Sequence, residues 1–91
     1  MTKKELIDLL AEAEDISRRG AKRVVDTVFR SISNALEGGD RVEVRGLGSF
    51  KIKQYDGYEG RNPKTGEAVT IKPKKLPVFK AGKELKERVD Y

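Results

Sequence analysis

The chain has no cysteine, no histidine and no tryptophan among its 91 residues. Without cysteine there are no disulfides, and without cysteine and histidine the usual zinc staple of a small domain is missing as well. The same absences remove the commonest general base and the best ordinary nucleophile. The acids Glu12, Glu14, Asp15 and Asp26 are scattered along helical segments with no convergent partner. Gly60-x5-Gly66-Glu67 lacks the Gly-Lys-Ser/Thr of a phosphate loop. Neither an enzyme nor any cofactor or metal is expected. No run approaches the roughly 18 apolar residues of a membrane span, and the start lacks the apolar segment of a signal peptide. A cytoplasmic protein with no membrane partner is expected, and the lack of cysteine fits a reducing compartment.

Apolar bulk is also scarce. Leu, Ile, Val and Phe number 23, and 38% of all residues are charged. That apolar share is above the roughly 20% level below which disorder is the default, so the chain folds. A domain this small buries a modest fraction of its surface and ordinarily needs a staple. With disulfide and zinc excluded, oligomerisation is the remaining common route, and a dimer is expected.

Charge is present, and one-sided. The net charge is +5, yet residues 1–38 balance seven bases against seven acids. Residues 61–83 carry seven bases (Arg61, Lys64, Lys72, Lys74, Lys75, Lys80, Lys83) and one acid, Glu67. Such asymmetry is the electrostatic footprint of a polyanion site, although a solvated surface produces it too.

Thr2-Lys3-Lys4-Glu5 is a capping box, and Leu6, Leu9, Leu10 and Ala13 then recur at helical spacing, predicting a helix over 3–14. Ser17 is a second N-cap. Ala21, Val24, Val25, Val28, Phe29, Ile32 and Leu36 follow the i, i+3, i+4, i+7 rule up to Gly38-Gly39. Ile16 is expected to pack where the two helices cross. After Asp40 the period becomes two: Val42 and Val44 form one strand, Gly46-Leu47-Gly48 a tight turn, and Phe50 and Ile52 a second strand. Val69 and Ile71 restart the alternation, Pro73 interrupts it, and Leu76, Val78 and Phe79 end it. Leu85 and Val89 mark a short terminal helix.

Residues 54–68 contain no aliphatic side chain larger than Ala68. A polar stretch of this length is unusual in so small a domain and adds nothing to a core. Asn62-Pro63 initiates a turn and Gly66 accommodates positive φ. The segment therefore reads as a hairpin arm projecting from the body.

Gly60-Arg61-Asn62-Pro63-Lys64-Thr65-Gly66-Glu67, with Gly46-x-Gly48-Ser49-Phe50 before it and Pro77-x-Phe79-Lys80-x-Gly82-Lys83-x-Leu85 after it, resembles the bacterial HU and integration host factor family over essentially the whole chain. Glu43-Val44-Arg45-Gly46 with Ser49 looks more like the β subunit of integration host factor than like a typical HU. Leu47 departs from the family's usual Phe, which thins the aromatic cluster under the sheet. The resemblance implies an α+β fold: an N-terminal helical hairpin, a three-stranded antiparallel sheet with a long β-hairpin arm, and a short C-terminal helix, in an intertwined dimer. The chain is then one domain, with residues 1–38 as dimerisation base, 40–53 and 69–80 as saddle, 54–68 as arm and 82–91 as terminal helix. Implied too is a histone-like architectural protein of the nucleoid that bends double-stranded DNA and assists recombination, replication and transcription. Its partner chain is an identical or a related subunit, and both site-preferring and non-specific binding stay open.

HU and integration host factor are themselves standing examples of minor-groove binders that insert apolar wedges between base steps. By resemblance Pro63 is the wedge, although as an isolated residue it would read as a turn proline. Arg61 and Asn62 donate into the minor groove, where A·T pairs present only acceptors. Lys51, Lys53, Lys64, Lys72, Lys74, Lys75 and Lys80 are candidate phosphate contacts, which position the protein without reading sequence. Thr2-Lys3 and Gly82-Lys83 offer free helix amides beside a base, as phosphate clamps or as ordinary caps. Tyr55 and Tyr58 lie along the groove or pack across the arm. Arg45 either reads the minor groove, held by Glu43, or forms a plain surface ion pair with it. The rival reading is an RNA-binding or protein-scaffolding module using the same basic sheet; RNA modules stack bases on exposed aromatics, whereas Phe50 and Phe79 are expected to be buried.

Overall fold

The computed structural model describes residues 1–90. Helix α1 spans Lys3–Glu14 and α2 spans Arg18–Glu37. Thr2 Oγ1 accepts from the Glu5 amide at 3.2 Å, and Ser17 Oγ accepts from the Gly20 amide at 3.0 Å. Both N-caps therefore sit where the sequence puts them, each satisfying one of the amides a helix start leaves free. Asp15, in the left-handed region at φ 50°, ends α1. The Ile16 amide donates back to the Ala11 carbonyl at 3.0 Å, turning the chain straight into α2. Asp26 on α2 ties the hairpin together. Its carboxylate accepts from Lys22 Nζ at 2.8 Å, one turn earlier, and meets Lys3 Nζ of α1 at 2.5 Å.

Strands β1 (Val42–Val44), β2 (Gly48–Tyr55) and β5 (Lys74–Ala81) form an antiparallel sheet in the order β1-β2-β5. Strands β3 (Tyr58–Arg61) and β4 (Ala68–Ile71) form a separate two-stranded ribbon. The saddle strands thus reach further out than expected, through Tyr55 and Lys74. Residues 69–71, expected in the saddle, belong instead to the arm, because they pair with Tyr58–Gly60. Helix α3 covers Lys83–Val89; the expected helix limit at residue 91 lies outside the described residues.

The single chain hardly buries a core. Among the described residues only Ile7, Ala21 and Val25 are buried hydrophobics, packed by Leu6, Leu10 and Ala11 between the two helices. The rest of the apolar stripe of α2 is open, with Val24, Val28 and Phe29 close to half exposed. Ile16, expected at the helix crossing, is 41% exposed, and Phe79, expected to be buried, is 44% exposed. The physical reason is the same for both: one chain lacks the surface needed to cover them. The arm adds to the imbalance. The radius of gyration is 19.4 Å and the long axis 62 Å, against a radius of about 12 Å for a compact domain of this length.

Candidate nucleic-acid interface

Directly paired residues in antiparallel strands share a face. The register pairs Ser49 with Lys80, Lys51 with Val78, Lys53 with Leu76 and Tyr55 with Lys74, and Glu43 of β1 pairs with Ser49. One face of the saddle is therefore basic. The other carries Val42, Phe50, Ile52, Pro77 and Phe79 toward the helices. There the Phe50 and Phe79 rings stack at a centroid distance of 4.8 Å, tilted by 54°. Gly48 lies under that pair: a Cβ on it would come 2.3 Å from the Lys80 carbonyl oxygen and 2.7 Å from the Phe79 ring.

This division sorts the saddle lysines by face. Lys75 pairs with Gln54 on the apolar side and lines a cleft with Leu36, Gly39 and Ile52 at the end of α2. A lysine there complements the negative end of the helix, and the sheet face does not gather it with Lys51, Lys53, Lys74 and Lys80. Tyr55 belongs to the basic face, with Lys53 Nζ 5.2 Å and Lys74 Nζ 5.8 Å from its ring centroid. Cross-strand packing thus accounts for Tyr55, while Tyr58 is 64% exposed on the arm.

Glu43 does not hold Arg45. Its carboxylate accepts from the Arg41 guanidinium, and Arg45 stands in the turn after β1 with no ion pair among the described residues. Alternation along an extended strand brings Arg41 as close to Glu43 as Arg45, and the turn carries Arg45 out of the strand. Lys3 is likewise engaged, by Asp26. The Thr2 hydroxyl serves the Glu5 amide as an ordinary cap. Lys83 is 89% exposed and only 3.9 Å from Glu87, and Gly82 caps α3 without a side-chain hydrogen bond.

The arm ends as its turn chemistry predicts. Asn62 N–H donates to the Glu67 carbonyl at 2.9 Å, and Gly66 N–H donates to the Asn62 carbonyl at 2.7 Å. The Asn62 side-chain oxygen accepts from the Lys64 amide at 2.9 Å, and Gly66 takes φ 73°. This Asx turn occupies the amide oxygen of Asn62 and leaves its NH2 group to donate outward. Arg61, Asn62, Pro63 and Lys64 are all exposed at the tip. Lys72 lies where the arm rejoins the saddle.

Two features depend on tertiary contact as well as on local spacing. Lys22 and Asp26, spaced i, i+4, are a legible helix pair, but Lys3 as third member depends on how the helices cross. The aromatic contact of Tyr55 with two lysines depends on register.

A basic sheet face and a projecting arm with a polar, proline-bearing tip define a protein that grips an extended polyanion from outside. The chain belongs to the bacterial DNA-binding protein family, whose profile matches residues 1–90. This is a family of structural DNA-binding proteins and not of enzymes. Curated relatives include DNA-binding protein HU 1 of Bacillus subtilis (strain 168), 44% identical over 98% of this chain and 97% of that protein. The integration host factor subunit beta of Actinobacillus succinogenes is 50% identical over 100% of this chain and 98% of its own. Among solved structures, an Anabaena HU–DNA cocrystal superposes with TM-score 0.86 at 38% identity, covering 99% of this chain and 98% of that one. HU from Thermotoga maritima matches with TM-score 0.71 at 32% identity, covering 99% and 100%. No helix among the described residues is long and apolar enough to cross a membrane.

Proposed function

We propose that the protein is a dimeric architectural DNA-binding protein of the bacterial nucleoid that bends duplex DNA by seating its saddle on the backbone and driving Pro63 between base steps in the minor groove. The observation that carries this reading is the arm tip, where an Asx turn holds Pro63 exposed between Asn62 and Lys64. Proline is rigid, apolar and without an N–H that would require water, which suits a wedge. Arg61 and the free Asn62 NH2 donate to the acceptors on either side. Lys51, Lys53, Lys74 and Lys80 meet phosphates from the saddle, Lys64 and Lys72 do so along the arm, and Lys83 does so at the flank. Lys75 and Lys3 are secondary here, since the sheet orients one elsewhere and Asp26 holds the other. Residues 1–38 act as the dimer base, and the partner subunit covers the open stripe of α2.

The test is energy transfer between the ends of a labelled duplex. Pro63→Ala lowers the bend while affinity for pre-bent DNA changes less, because unstacking costs a few kcal/mol per step only when the wedge drives it. An unchanged bend removes the wedge. Competition with structured RNA addresses the rival module: the basic face carries one ring, Tyr55, already flanked by lysines, and not the aromatic platform that RNA modules use.

A further inference from the structure

The ladder of the long hairpin is broken once, and the break has an unusual form. Pairing of β2 with β5 ends at Tyr55 with Lys74, and pairing of β3 with β4 begins at Tyr58 with Ile71. Both strands advance equally across the gap, so the register is unchanged and Asp56 falls opposite Pro73, Gly57 opposite Lys72. A bulge would have added a residue on one strand, and here neither has one. The two rungs simply go unpaired. Hydrogen-bonded and non-bonded pairs alternate along an antiparallel ladder. Counted back from Asn62, whose N–H bonds to Glu67, the position of Asp56 and Pro73 is a bonded one. Counted out from Gly82, whose N–H bonds to Leu47, it is a non-bonded one, so the two ladders meet out of phase in the gap. Pro73, at that junction, has no N–H to give to either ladder.

Close contact occupies the gap. A Cβ on Gly57 would lie 2.7 Å from the Ile71 carbonyl oxygen, 2.8 Å from Pro73 Cδ and 3.1 Å from Pro73 N. These atoms belong to the backbone and ring of the returning strand, so no rotamer change relieves them. We propose that Gly57 and Pro73 form a steric joint that sets the angle at which the arm leaves the saddle, making them positioning residues for Pro63. Relieving the contact requires about 0.7 Å across strands about 4.8 Å apart, a tilt of roughly 8°. Over the arm of about 20 Å from Gly57 to Pro63, such a tilt moves the tip by about 3 Å, close to one base step of roughly 3.4 Å. A single methyl group at position 57 would thus move the wedge off its step.

The joint itself is a property of the free protein; its effect on DNA rests on the proposed function. The experiment therefore has two readouts on the full chain: residual dipolar couplings, which give the orientation of β3–β4 relative to β2–β5 without DNA, and the bend of an end-labelled duplex. In Gly57→Ala the arm axis shifts beyond the scatter of the wild-type couplings and the bend falls. Pro73→Ala is the second variant. It removes the ring that position 57 faces, so the contact is relieved from the other strand and the arm angle changes by a different route. Arms that keep the wild-type orientation in both variants overturn the joint. Arms that move while the bend stays constant overturn its role on DNA. A wild-type protein that does not bend DNA refutes the proposed function and leaves the couplings to decide the joint.

Discussion

Asp26 shows how one side chain can hold an element pair together. Its pKa is lowered from 3.8 to about 2, first by the hydrogen bond from Lys22 and then by that from Lys3. A carboxyl with a depressed folded pKa contributes stability that is fully present above its unfolded value. That contribution is lost as pH falls from about 3.8 toward about 2. Replacing Lys22 by Gln should raise the Asp26 pKa toward its ordinary value, read by carboxyl NMR titration; an unmoved titration would mean that Lys22 is not the main cause. Arg45 makes the opposite case, a base with no ion pair among the described residues while Glu43 turns to Arg41. If Arg45 reads the groove directly, Arg45→Ala erases preference among DNA sites while bending persists. Surviving preference, measured by competition among duplexes, would assign selectivity to DNA deformability instead.

Strand β2 is the element on which the rest depends, because it pairs with β1 on one side and β5 on the other and carries both faces of the saddle. Its first residue, Gly48, touches the Lys80 carbonyl and the Phe79 ring so closely that no side chain fits. Overpacking of this kind costs about 1–3 kcal/mol. Gly48→Ala should therefore lower the unfolding free energy by that amount, read as a lower urea midpoint, with the Phe50–Phe79 contact disturbed first. A midpoint equal to wild type would show that the sheet yields there without cost. The neighbouring Leu47, where the family usually has Phe, is 41% exposed and bonded through its backbone to Val44 and Gly82. The turn therefore keeps its form with a smaller side chain.

The whole molecule is defined by what one chain leaves undone. The three buried hydrophobics among the described residues and an open stripe on α2 are too little to stabilise a domain without a cysteine to form a disulfide. Folding and association are then one equilibrium, and the melting temperature must depend on protein concentration. Dilution over two orders of magnitude should lower it measurably by circular dichroism. A melting temperature independent of concentration would contradict the shared core. The projecting arm follows from the same economy of apolar residues: its strands offer only Val69 and Ile71 as large aliphatic side chains, too few for a core of its own.

Much of this was legible in the sequence because it depends on neighbours along the chain. Thr2 and Ser17 cap their helices, Gly38-Gly39 stops α2, and Asn62, Pro63 and Gly66 build the tip, each through bonds spanning a few residues. The family resemblance singled out Pro63, the proposed wedge, in the same way, from a contiguous motif. What the sequence left open are relations between distant segments. Alternation marks Lys74 and Lys75 as opposite in facing, but only the pairing with β2 decides which of them joins the basic face. The partner of Glu43 depends on where β1 gives way to its turn, the third member of the Asp26 cluster on the crossing of α1 and α2, and the contact of Gly57 with Pro73 on two strands meeting in register. Local bonding determined the elements and the tip; long-range packing alone decided which charges stand together and at what angle the arm leaves the saddle.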